Sequence, residues 1–162
     1  MMSRIARTLV VTSALALASA CAKPKPPTIT PKSARVQSIS PHGVELAVEF
    51  DVTNPNRFPL IVHSVDGHFS VGAGTGTELG TAHAEPSASI SAQATSSVTS
   101  TVAVGWTNLA ALAPFALSPG AVPYTFTGSA AVGGSELNVT IPFTVTGELT
   151  RAQLLSIGLA GW

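Results

Sequence analysis

The sequence predicts an antiparallel β-sandwich of about seven strands with one short helix, carried behind a cleavable leader and a proline-rich stem. Three observations carry that prediction. Apolar and polar residues alternate in run after run of the body, the period-2 signature of strands with one wet face. Gly, Pro and Asn punctuate those runs at spacings of roughly 8–12 residues, the rhythm of all-β sandwiches. Ser and Thr, 18 of each, fill the place that charge usually takes, because charged residues are only 10% of the 162 while hydrophobics are 45%.

The leader comes first. Arg4 and Arg7 precede LVVTSALALASA at residues 9–20, which is apolar or small throughout. As a helix that stretch reaches about 18 Å, too short for a hydrocarbon core of about 30 Å. A charged start, a short apolar centre and a small-residue end define a secretory signal peptide over residues 1–20. No other apolar run approaches the length of a membrane-crossing helix. The leader ends Leu17-Ala18-Ser19-Ala20-Cys21, which resembles the lipobox of bacterial lipoproteins, although Ala18 stands where the pattern prefers Leu. Ala18-Ser19-Ala20 also satisfies ordinary signal cleavage, and both routes cut the same bond. Cys21 is the single cysteine, so no disulfide framework or cysteine zinc site is available. A thiol left at that bond in an oxidising compartment is a liability, and a lipidated one is not. The expectation is therefore lipidation of Cys21, with a plain secreted protein as the alternative. Stable anchoring takes two or more acyl chains, and the lipoprotein resemblance implies that number. Ala22 after the cysteine resembles the outer-membrane sorting pattern of bacteria with two membranes, and in such a host the resemblance implies a bacterial cell-envelope location on the periplasmic face of the outer membrane.

Residues 21–35 then read as the lipidated cysteine and a stem. AKPKPPTITPKSAR holds Pro24, Pro26, Pro27 and Pro31, and proline favours extended polyproline II. Lys23, Lys25, Lys32 and Arg35 lie here with no acid among them. Beyond residue 36 only Arg57 and Arg151 are basic, against all eight acids. The formal net charge of zero thus hides a basic stem and an acidic body. It excludes nucleic-acid binding through a general positive field. The hydrophobic content equally excludes a charged, disordered chain.

The body supplies the strands. In VELAVEFDV, Val44, Leu46, Val48, Phe50 and Val52 share one face, and Asn54-Pro55-Asn56 ends the run. LIVHSVDGHFSV at 60–71 is a second strand with a bulge near Gly67. The glycines of GAGTGT turn the chain into TELGTAHA, and residues 88–104 bring a Ser/Thr-rich strand ending in Val98, Val102 and Val104. WTNLAALAPFAL at 106–117 lacks alternation and reads as a short helix, with Asn108 as N-cap and an end before Pro114. Tyr124, Phe126, Gly128, Ala130 and Val132 alternate again, Gly133-Gly134 signals a hairpin, and Leu137 to Val145 close the body with Pro142 on the outer face, the mark of an edge strand or bulge. Residues 149–162 form a C-terminal tail of helical character, with Thr150 as its cap.

The run ELAVEFDVTNPNRFPLIVHSVDGHFSVG resembles the start of the water-stress and hypersensitive-response (WHy) domain, shared with group-2 late-embryogenesis-abundant (LEA) proteins. The marks are the alternating strand, Asn54-Pro55-Asn56, the pair Pro59-Leu60 and then Val65-Asp66. The likeness covers residues 36–148. It implies a seven-stranded antiparallel sandwich of the immunoglobulin/fibronectin-type-III kind with one helix. It also implies a non-enzymatic role in protection against desiccation, cold or osmotic stress. Asn54, Pro55 and Asn56 read as a structural turn, since Pro presets φ and Asn side chains bond nearby backbone.

Catalytic and ligand motifs are wanting. His63 on a regular strand faces away from Asp66 and His68, so no metal site is expected. No serine lies in a nucleophile-elbow pattern. Gly72 to Gly76 lack the lysine and strand–turn–helix context of phosphate loops. Asn138-Val139-Thr140 spells a glycosylation sequon but falls inside a strand. The expectation is a monomer with no cofactor, catalytic residue or nucleic-acid partner. It meets the membrane through lipid on Cys21, and client proteins or lipids through its surface. The alternative is an envelope module that binds lipid or protein on a sheet face, edge, or aromatic patch of Trp106, Phe115 and Trp162.

Overall fold

The structure is a computed structural model that describes residues 23–117 and 119–157. The leader with Cys21, and Trp162, lie outside the described residues. Eight strands run in chain order: β1 (Thr28–Ser40), β2 (Gly43–Thr53), β3 (Leu60–Val71), β4 (Thr77–Ala84), β5 (Ala88–Ile90), β6 (Thr95–Gly105), β7 (Val122–Gly133) and β8 (Asn138–Leu149). A 3-10 turn (Leu109–Leu112) runs into helix α1 (Ala113–Ala116), and α2 (Arg151–Ser156) follows β8. Every strand pairing is antiparallel.

The strands form one strongly curved sheet in the order β1-β2-β6-β4-β3-β7-β8, with β5 beside β3. Its two halves meet at a single bridge, Ala82 to Val104. On the opposite side β1 packs alongside β8, so the sheet is nearly closed, like a barrel. This departs from the expected immunoglobulin-type sandwich in architecture and in strand number. The extra strand comes from the residues read as stem. Thr28 to Arg35 open β1 and pair with β2 from Thr53 down to Ala47. The composition misleads because proline is tolerated at sheet edges and bulges: β1 is an end strand, and its register shifts between Pro31 and Ser33. The Ser/Thr-rich run also divides, into β5 and β6.

Alternation decides what the barrel encloses. Leu46, Val48, Phe50, Phe69, Val102, Phe126 and Val132 are sealed from solvent, each contributing roughly 1.5–3 kcal/mol by burial. Phe143 stacks on Phe50 with centroids 5.6 Å apart and meets Phe126 at 6.0 Å. Toward the other end Phe69 lies between Tyr124 at 5.1 Å and Trp106 at 6.1 Å. The tyrosine reaches further. Its hydroxyl donates to the Ala34 carbonyl of β1 at 2.7 Å, passing over Gly147 of β8. A Cβ at Gly147 would stand 2.4 Å from Tyr124 Cζ and Oη. One buried side chain on β7 thus ties the two end strands.

Several local expectations change. Asn108 makes no side-chain cap bond, and Pro114 sits inside the first turn of α1 instead of beyond a helix end, where its missing N–H is harmless. The β3 irregularity against β7 falls between Val62 and Ser64, upstream of the bulge expected near Gly67. That extra residue turns His63 outward onto the same solvent side as Asp66 and His68. Trp106 is half-buried and donates its Nε1–H to the Ser40 carbonyl at 2.7 Å, and Phe115 packs against the core.

The far end of the barrel is plugged by the helices. Thr150 and Gln153 form a reciprocal capping box that starts α2, and Leu154 and Ile157 bury beneath it.

Candidate functional site

At the end of the barrel where the chain enters, three segments meet around Asn54-Pro55-Asn56. Both asparagines are buried, and their amides carry the junction. Asn54 donates from Nδ2 to the carbonyls of Phe58 (2.8 Å) and Ser91 (3.1 Å). Its Oδ1 accepts from the Asn56 backbone N–H at 3.0 Å and from Asn56 Nδ2 at 3.2 Å. Asn56 in turn behaves as a short piece of strand. Its Oδ1 accepts the Lys25 N–H and its Nδ2 donates to the Lys25 carbonyl, both at 2.7 Å. Its own carbonyl accepts the Gln93 N–H at 2.9 Å. Pro55 between them is exposed; its fixed φ helps set the bend. Asn suits this position because one amide presents donor and acceptor together, which matches the two groups of a peptide unit.

The clamp creates a cleft of about 680 Å³ lined by Lys23, Lys25, Arg57, Phe58, Gln93 and Glu136, with Pro55 and Asn56 completing its wall. Gln93 holds φ at +53°, the left-handed region that a side-chain-bearing residue rarely adopts. Lys23 and Lys25 lie more than thirty positions from Arg57 in sequence. The signal that connects them is the asparagine two residues after Asn54, whose side chain reaches back 31 positions to Lys25.

Two other polar groupings decorate the wall. Lys32 lies 2.9 Å from Asp51 and 3.8 Å from Glu49. The Asp51 hydrogen bond holds the Lys32 ammonium above its usual range, and Lys32, then Ser97, hold Asp51 below the ordinary carboxylate range. Across β3 and β4, His83 Nδ1 lies 2.6 Å from Asp66 Oδ1 and its Nε2 3.5 Å from Glu85. Asp66, then Glu85, raise the imidazole above 6.5, while His83, then Ser64, lower the Asp66 carboxyl below 3.8. Ser64 donates to Asp66 Oδ2 at 3.0 Å, so the carboxylate stands between hydroxyl and imidazole. A nucleophile–base pair needs the imidazole in the middle, and this order does not provide it. His68 pairs with Glu78 at 3.2 Å, and His63 stands apart by Gly133. Among the described residues no group of three or more His, Cys, Asp or Glu is placed to hold a metal ion. No helix among them is long and apolar enough to cross a membrane.

The late embryogenesis abundant protein family LEA_2 matches residues 49–147, from the middle of β2 to the end of β8. The chain belongs to that family. In architecture it is similar to an Arabidopsis thaliana protein solved in solution, at 20% identity and a TM-score of 0.58, over 80% of this chain and 83% of that one. It is similar to a protein described as a late embryogenesis abundant (LEA) protein, also solved in solution, at 16% identity and a TM-score of 0.53, over 77% and 71%. A crystal structure from Archaeoglobus fulgidus shares the fold at 8% identity and a TM-score of 0.52, over 79% and 97%. No curated protein matches the chain in sequence.

Proposed function

We propose that the protein is a non-enzymatic, monomeric stress-protection domain of the WHy/LEA type, tethered to a bacterial envelope membrane through lipid on Cys21. LEA_2 membership supports the stress-related reading. The observation that carries the mechanism is the outer wall of the barrel. Thr95, Ser97, Thr99 and Thr101 of β6 point to solvent, as do Thr127 of β7 and Thr140, Thr144 and Thr146 of β8. Alternation has sorted the apolar half of each strand inward and left a hydroxyl coat outside.

A hydroxyl both donates and accepts hydrogen bonds and carries no charge. Such a coat satisfies polar groups on client proteins as water is withdrawn, without the strong attraction of opposite charges. The folded barrel distinguishes this mechanism from protection by charged, disordered chains. The test is the residual activity of a labile enzyme after drying or freezing with this protein. The reading expects more recovery than an equal mass of an inert globular protein provides. It also expects the gain to shrink when the outward threonines of β8 become valine. Equal recovery with the inert protein refutes it. Metabolic labelling with a radioactive fatty acid, lost in Cys21→Ser, tests the tether separately.

A further inference from the structure

Arg35 and Arg151 elsewhere also make no ion pair among the described residues, but at the clamped end of the barrel three cations converge on one cleft. Lys32 on the wall is paired with two carboxylates. Lys23, Lys25 and Arg57 are exposed, and among the described residues no carboxylate lies within the 4.0 Å of an ion pair with them. Three cations against Glu136 alone line the cleft of about 680 Å³, a volume in the range of small-ligand sites. The lysines are not simply dangling on a leader, because Asn56 fixes the Lys25 backbone by two 2.7 Å hydrogen bonds. Gln93, whose N–H the carbonyl of the same Asn56 accepts, lines the cleft with a left-handed backbone, a conformation that persists where surrounding contacts hold it.

We propose that this cleft binds the phosphate group of an anionic lipid head group at a bilayer surface. Arg57 supplies the planar fork that matches phosphate oxygens, and the lysines supply point charges on long stems. Phe58 and Pro55 give the rim an apolar edge for the head-group boundary. The site's position rests on the acylation reading. Lys25 is four residues after Cys21, so extended chain separates the two by at most about 14 Å. A lipid on Cys21 then holds the cleft, and not the helical end, against the membrane. The head group adds a second attachment that fixes the orientation of the barrel.

The test uses the chain from residue 21 onward with Cys21→Ser, so that neither an acyl group nor the apolar leader with Arg4 and Arg7 enters the measurement. Its partition onto vesicles of phosphatidylcholine alone is compared with vesicles containing phosphatidylglycerol. Binding is expected only with the anionic lipid, to fall about fivefold for Lys25→Gln or Arg57→Gln, and to vanish near 1 M salt, where the screening length is about 3 Å. Arg57→Lys keeps the charge but loses the planar fork, and is expected to bind more weakly than the parent and more tightly than Arg57→Gln. Arg151→Gln, which removes the same charge beside the helical plug, is expected to change nothing. Equal losses in Arg151→Gln and Arg57→Gln would assign binding to a diffuse field and overturn the site. Equal partition onto both vesicles overturns it too. Inorganic phosphate that perturbs the Arg57 side-chain resonances with no vesicle binding would assign the cleft to a free anion and overturn the lipid. Fatty-acid labelling of Cys21 reports separately, so loss of the tether and loss of the site are distinguishable.

Discussion

Tyr124→Phe tests whether one hydroxyl holds the seam between β1 and β8. Tyr124 is 2% exposed and Ala34, whose carbonyl it reaches, is 6% exposed. The 2.7 Å bond is therefore made in the interior, where deletion removes a net 0.5–1.5 kcal/mol and weakens the solvation of the acceptor left behind. A loss of about 1.5 kcal/mol is expected, with a fall in Tm of roughly 5 °C for a body of this size. The denaturant slope is expected to stay constant, since the same surface is exposed on unfolding. Gly147→Ala approaches the seam from the other side. Its Cβ would meet the tyrosine ring at 2.4 Å, so overpacking of about 1–3 kcal/mol is expected. In a Tyr124→Ala background the ring is gone, and Gly147→Ala should become nearly neutral. Urea unfolding of the four variants closes the cycle, and amide exchange in β1 and β8 should quicken in Tyr124→Phe before other strands respond. A Tyr124→Phe protein as stable as the parent, with additive effects of Gly147→Ala and Tyr124→Ala, would refute the reasoning.

Other perturbations read separate parts of the molecule. Tyr124 is the single tyrosine, and burial raises its ionisation above 10.0; phenolate absorbance should therefore appear above pH 10 and only together with unfolding. The Asp66–His83 pair should support the fold in a bounded window. His83, raised, contributes fully below 6.5 and loses its contribution as pH climbs through its elevated folded value. Asp66, lowered, contributes above 3.8 and loses it as pH drops through its depressed folded value. Asp66→Asn should flatten the urea midpoint between those limits, and parallel profiles would count against the pair. Asn56→Ala should cost roughly 1–3 kcal/mol and speed exchange of the Lys25 amide, whose partner is the lost Oδ1. Thr150→Ala removes half of the capping box and should lower stability by about 1 kcal/mol, seen as fraying of α2 in hydrogen exchange.

Alternation made most of the barrel legible. Val44 to Val52 and Tyr124 to Val132 need no tertiary knowledge, because period 2 against a single core fixes which side is buried. The family, too, could be recognised from Asn54-Pro55-Asn56 within its alternating surroundings. What local pattern cannot encode is long-range closure. Whether two halves of a sheet separate or curl into one depends on contacts such as Tyr124 to Ala34 and Ala82 to Val104, far apart in sequence. Proline hid the first half of β1 because a missing N–H argues against a central strand but not against an end one. His63 went astray for a similar reason. A bulge moves every later residue across the pleat, and nothing in the letters around Ser64 announces it. The cleft escaped notice because its cations are distant in sequence and an amide brings them together.

The position of β1 has a mechanical side. The segment from Lys23 leads straight into this strand, which is laid against β2 from Thr28 to Ser40. Tension applied ahead of Lys23 is transmitted lengthwise along β1, so its rungs to β2 share the strain in shear and do not peel one after another. The Asn56 clamp lies at the point of entry and meets the load first. A barrel loaded in this way resists being dragged open by its own first strand.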